Sequence, residues 1–95
     1  MSVYAIAQGR ITDQEAFDNY VALARPTLEA HDVNVVAFDE SPVAVEGDID
    51  FPRTVILEFP DSDAFYRWYD SAEYQAARQH RLPASVGRFI LVNGT

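Results

Sequence analysis

Arg53-Thr54-Val55-Ile56-Leu57-Glu58-Phe59-Pro60-Asp61 is the stretch on which the architecture turns. Residues 53–59 are dense in β-branched and apolar side chains, which read as a strand. Alternation puts Val55, Leu57 and Phe59 on one face and Thr54, Ile56 and Glu58 on the other. Pro60 ends the run because it has no N–H for a ladder, and Asp61 offers a carboxylate to cap a helix. That helix follows at once. Phe65, Trp68, Tyr69 and Ala72 recur at helical spacing through about residue 70. Ser71 can open a further turn or two through Tyr74, Ala77 and Arg78. Val86 to Val92 then reads as another strand, and Asn93-Gly94-Thr95 as a fraying end.

The first half repeats the plan. Val3-Tyr4-Ala5-Ile6-Ala7 opens a strand within Ser2 to Ile11. Thr12-Asp13-Gln14-Glu15 has the capping-box pattern, with Thr12 as N-cap and Glu15 reaching back to its backbone N–H. Phe17, Tyr20, Val21, Ala24 and Leu28 predict an amphipathic helix over about residues 13–30. Pro26 removes the donor that would serve the Ala22 carbonyl, so a kink or restart is expected there. His31-Asp32 closes the helix, with Asp32 or Asn34 suited to a left-handed turn. Val33 to Phe38 is a strand, Asp39-Glu40-Ser41-Pro42 a turn, and Val43-Ala44-Val45-Glu46 an extended segment ended by Gly47-Asp48. The order is β-α-β-β-α-β. It specifies a single α+β domain over residues 1–95, the ferredoxin-like antiparallel sheet with its helices on one face.

Composition sets outer bounds on function. Ninety-five residues allow one core. With 48% hydrophobic and 23% charged residues, the chain is neither disordered nor fibrous. No apolar run approaches the ~18–20 residues of a membrane span, and the start lacks a signal-peptide pattern, so a cytoplasmic protein is expected. The absence of cysteine excludes disulfides and thiolate chemistry, and the absence of lysine excludes Schiff bases. Seven arginines against fifteen carboxylates give a net charge of −8, which argues against nucleic acid and anionic membranes.

A sheet face left open to water should alternate apolar with polar residues. Strands 33–38, 53–59 and 86–92 are instead apolar on both faces, with Ile56, Val86, Ile90 and Val92 on the side away from the helices. Exposing each such side chain forgoes ~1.5–3 kcal/mol. A homodimer that packs one sheet on another resolves the conflict. The alternative is that segment 39–52 folds back over the open face.

Few residues could carry chemistry. His31 and His80 have no metal-ligand spacing; His31 suits a helix C-terminus, and His80 lies in the charged run Arg78-Gln79-His80-Arg81. No metal site is expected. The carboxylates of Asp39-Glu40 and of residues 46–50 lack calcium-loop spacing and read as solvated turns. Glu58 shares its face with Thr54 and Ile56, so it should pair with Arg88 or Arg53, stand in a pocket with a raised pKa, or simply be exposed at the strand end. Trp68, Tyr69 and Tyr74 read as core or interface aromatics, and the hydroxyls of Tyr69 and Tyr74 need partners if buried.

Glu46-Gly47, the run Arg53 to Pro60, and Trp68-Tyr69-Asp70-Ser71-Ala72-Glu73-Tyr74-Gln75-Ala76-Ala77-Arg78 with Arg81 resemble the signature of the DUF1330 family. Tyr20, Pro26 and Ala30-His31 fit the same pattern, although members often carry Gly-Gly where Asp32 follows the histidine here. The resemblance implies a dimeric α/β barrel of ferredoxin-like fold and no particular activity. Glu46, Arg53, Glu58, Tyr69, Tyr74 and Arg81 are the residues expected to approach a common cleft, where an arginine would hold a small acidic or carbonyl-bearing metabolite. Structural ion pairs of Arg53 and Arg81 are the alternative. By analogy of fold, the cleft could instead serve a cofactor-free monooxygenase, isomerase or dehalogenase with His31, His80, Glu46 or Glu58 as general base. Neither reading calls for a cofactor.

Overall fold

The structure, a computed structural model, describes residues 1–95. Its elements are β1 (Val3–Ile11), α1 (Gln14–Ala30), β2 (Asn34–Asp39), β3 (Arg53–Phe59), α2 (Ser62–Tyr69), α3 (Ala72–Arg81) and β4 (Ser85–Asn93). The four strands form one antiparallel sheet in the order β2-β3-β1-β4. This is the ferredoxin-like fold. The second helical unit is divided at Asp70-Ser71, where the Ser71 hydroxyl accepts from the Tyr74 N–H and starts α3. No helix is long and apolar enough to cross a membrane.

Capping differs from expectation at the start of α1. Asp13, not Thr12, is the N-cap, and its carboxylate accepts from the Ala16 N–H at 3.2 Å. The reason lies on the neighbouring segment. The backbone N–H groups of Thr12 and Asp13 both donate to the Ala84 carbonyl. The Thr12 N–H therefore has its acceptor, and Glu15 has no orphan donor to reach back for. Asp13 also brings a negative charge to the positive end of the helix dipole.

α1 runs through Pro26 as one element and ends in a Schellman turn. The N–H of Val33 donates to the Leu28 carbonyl and that of Asp32 to the Glu29 carbonyl. Asp32 takes the left-handed conformation this requires, at φ 53°, a role open to Asp because its short polar side chain tolerates that region. Residues 43–46 form no strand: Val43 and Val45 are 86% and 90% exposed, and no neighbouring strand pairs with them. The segment leaves the open face of the sheet largely bare, with only Phe51 lying against its arginines, 5.4 Å from the Arg88 guanidinium. Ile90 on that face is 48% exposed.

On the helix-facing side the core fills one half of the sheet. Val3, Ala5, Leu57 and Phe59 pack there against Phe65, Trp68, Tyr74 and Ala77. Toward the other end the central strand carries only Ala7 and Gly9, and Gly9 pairs with Gly87 across β1 and β4. A Cβ on Gly87 would overlap the Gln8 carbonyl oxygen, so the strands approach there as closely as glycine permits. These small residues leave the space beneath α1 unfilled.

A cationic cavity beneath the first helix

The unfilled space is a cavity of about 660 Å³, within the range of small-molecule sites. α1 supplies one wall through Phe17, Tyr20, Val21, Ala24 and Leu28, the same stripe that its periodicity marks as apolar. The floor is Ala7, Gly9, Val55, Leu57 and Gly87, while Phe38, Trp68 and Phe89 close the sides. The Trp68 indole N–H donates to Thr27 Oγ1 at 2.9 Å, and the Thr27 hydroxyl in turn donates to the Ala24 carbonyl at 2.6 Å. That chain fixes the indole plane against α1.

Charge is distributed unevenly. Arg53 and Arg81 line the cavity, whereas no carboxylate and no histidine does; Arg25 stands exposed on α1 at its edge, and the guanidiniums of Arg10 and Arg88 lie with Phe51 on the open face of the sheet. In a chain of net charge −8 this makes the cavity an isolated positive region. Arg53 projects from the first residue of β3 between two rings, its guanidinium carbon 4.7 Å from the centre of Phe17 and 4.9 Å from that of Phe38. Burial holds its pKa below the ordinary guanidinium value, an effect partly offset by Tyr20 and Glu40. Arg81, in the last turn of α3, stands 5.9 Å over the Tyr20 ring, and its buried Nε has no hydrogen-bond partner.

Between the two arginines lies Tyr20. Its hydroxyl is 2.9 Å from that of Tyr74, which is wholly buried. Burial pushes the Tyr20 phenol well above its ordinary pKa of 10.0, opposed by Arg81 and Arg53. It is therefore a neutral hydrogen-bond donor at physiological pH.

The residues expected in a common cleft part company. Arg53 and Arg81 meet at the cavity, and Tyr74 touches it through Tyr20. Tyr69 lies outside the lining, stacked on Phe65 at 5.5 Å. Glu46 sits exposed in the β2–β3 connection, His31 caps the C-terminus of α1, and His80 is exposed on α3.

Glu58 is on the opposite face of the sheet. It pairs with neither Arg88 nor Arg53, because the register sets it across from Tyr4 and Asn34 at the other end of β3. Asn34 Nδ2 donates to it at 2.9 Å and the Tyr4 hydroxyl at 3.2 Å. Its pKa is accordingly lowered rather than raised, chiefly by Asn34, then by Ser2 and Tyr4. Arg88 is opposite Gln8 and donates to that side chain instead.

Sequence reasoning assigned Tyr20 to the core and not to a cavity wall. The run of small residues Ala5, Ala7 and Gly9 on one face of the central strand was the available signal for a cavity.

Comparison with known proteins follows the same outline. The family model described as "Domain of unknown function (DUF1330)" matches residues 2–95. No curated protein matches the chain. A protein of unknown function from Rhodopseudomonas palustris superposes with a TM-score of 0.81 at 21% identity, covering 99% of this chain and 82% of that one. SnoaB, a cofactor-independent oxygenase from Streptomyces nogalater, gives 0.67 at 16% identity, with 99% and 93% covered. Hydroxynitrile lyase from Passiflora edulis gives 0.68 at 18%, with 99% and 95% covered. At these identities the likeness is one of fold.

Proposed function

The chain belongs to the DUF1330 family, which carries no assigned activity, and from that premise we propose that it binds a small acidic or carbonyl-bearing metabolite in the cavity beneath α1. One observation carries the reading: Arg53 and Arg81 meet at an aromatic-walled space that no carboxylate lines, in an otherwise acidic protein. A guanidinium can grip a carboxylate bidentately, and aromatic walls favour a flat apolar body. The general bases that an enzyme reading would require, His31, His80, Glu46 and Glu58, all lie outside the cavity lining. That favours binding over base-catalysed turnover.

The test compares matched pairs of anionic and neutral ligands, such as benzoate with benzamide and 2-naphthoate with 2-naphthamide. Anions should raise the thermal midpoint; a ligand at 100 times its Kd adds ~2.7 kcal/mol. Arg53→Ala and Arg81→Ala should each abolish the rise while the variant stays folded. Equal stabilisation by both members of each pair, or by neither, overturns the reading.

A second copy of the chain on the open sheet face is part of the same proposal. Val36, Val86, Ile90 and Val92 are all at least 40% exposed there, and the β2–β3 connection does not cover them. A two-fold homodimer would bury them in an interface of more than ~1,200 Å². With no helix fit to cross a membrane, a cytoplasmic location accords with this reading.

A further inference from the structure

The Tyr20–Tyr74 pair contains two hydroxyl hydrogens and one hydrogen bond. Were Tyr20 the donor, the hydrogen of the wholly buried Tyr74 would be left without an acceptor, which costs more than leaving a group at a cavity wall unmet. Tyr74 therefore donates to Tyr20, and the Tyr20 hydrogen turns toward the cavity that its ring lines. The groups around that hydrogen are Arg81 and Tyr74 from α3 and Arg53 from β3, with Glu40 acting on Arg53 from beyond β2. Arg81 adds a buried Nε–H that has no partner. Donors outnumber acceptors at this point, and the donors include two fixed positive charges.

Such a point discriminates between protonation states as well as between ligands. A neutral phenol or enol brings its own hydrogen into a cluster already supplied with hydrogens. Its conjugate anion brings an acceptor with lone pairs for three donors. We infer that the cavity draws a phenolic or enolic ligand into its ionised form, binding the oxyanion between Tyr20, Arg53 and Arg81 and releasing the ligand's proton to solvent. This deepens the proposed function and rests on it: the acidic metabolite would be acidic by virtue of a ring or enol hydroxyl. The aromatic walls of Phe17, Phe38 and Trp68 suit the flat conjugated body that such an acid carries.

The probe is 4-nitrophenol, whose phenolate is read by absorbance and which titrates near neutrality, with 4-nitroanisole as its non-ionisable counterpart and benzoate as a permanent anion. Titration of bound 4-nitrophenol against pH, with protein in excess, should show an apparent pKa at least one unit lower than that of the free compound. By linkage this is a tenfold or greater preference for phenolate over phenol. Tyr20→Phe should reduce the preference at least threefold. Arg81→Gln, which leaves the tyrosine pair untouched, should reduce it at least as much and is informative should Tyr20→Phe unfold. An unshifted pKa, or a failure of 4-nitrophenol to bind, in a protein that benzoate still stabilises overturns the inference and leaves anion binding standing. Binding of neither benzoate nor nitrophenolate overturns both. Equal affinity for nitroanisole and nitrophenolate also overturns it.

Discussion

Tyr20 and Tyr74, 54 positions apart, touch through their hydroxyl oxygens at 2.9 Å and so join the middle of α1 to the first turn of α3. The two partners are unequal, one lining a cavity and the other sealed in the core. Removing them should have unequal costs. Tyr20→Phe strands the Tyr74 hydroxyl and should destabilise the fold by ~1–3 kcal/mol, whereas Tyr74→Phe should cost ~0.5–1.5 kcal/mol. The double variant should be less destabilised than the two costs summed. Urea denaturation of the three proteins checks the order, and a reversed order would contradict the assigned donor.

At the start of α1, Asp13→Ala should lower stability by ~0.5–2 kcal/mol, because it removes the acceptor for the Ala16 N–H. Thr12→Ala should stay within ~0.5 kcal/mol of the parent, since only the Thr12 backbone is engaged. Denaturation midpoints of the pair decide between the two capping schemes.

Ala7 stands on the cavity floor where a larger side chain has room. Ala7→Leu should fold, since it enters empty space, and should abolish stabilisation by aromatic carboxylates. Gly87→Ala is the contrast. Its methyl meets the Gln8 backbone and should cost ~1–3 kcal/mol through strand displacement. Thermal melts with and without 2-naphthoate separate the two effects.

Glu58 predicts an acid limb of the stability profile. Its folded pKa lies below the ordinary 4.5, so its contribution is complete above that value and is lost as pH falls through the lower folded pKa. Asn34→Ala removes the largest cause of the shift. The variant should lose less stability than the parent between about pH 4.5 and the acid transition, as measured by urea midpoints at successive pH values. A steeper loss in the variant would show that Glu58 is held by other groups.

Ile90→Arg places a charge on the open sheet face, between the exposed Val86 and Val92 of the same strand. The parent should scatter light as twice the chain mass at micromolar concentration, and the variant as a single chain. A parent that scatters as one chain removes the basis for the proposed interface.

The fold was legible because its signals are local. The β-branched run at residues 53–59, the Pro60-Asp61 stop and the helical stripe at Phe17, Tyr20 and Ala24 each act within a few residues, and all appear where expected. Capping was misread where a distant carbonyl, that of Ala84, took over the donor a capping box would serve. The site was legible only in its arginines. Parity put Glu58 on the correct face, but its partner depends on strand register, which the pattern of a single strand does not contain. Tyr20 has the spacing of a core residue. Its place at a cavity wall arises from the small size of Ala7 and Gly9 opposite it.

The cavity lining holds Arg53 and Arg81 and no carboxylate, so the carboxylates, which in this chain outnumber all arginines by more than two to one, stand outside it. An anion bound for the cavity must therefore cross a repulsive field before it meets an attractive one. Dissolved salt screens charges in solution over about 8 Å at physiological strength, and acts less on buried ones. Salt should thus lower the barrier to entry more than it weakens the grip within, and association with this protein should quicken as ionic strength rises, the reverse of ordinary steering between opposite charges.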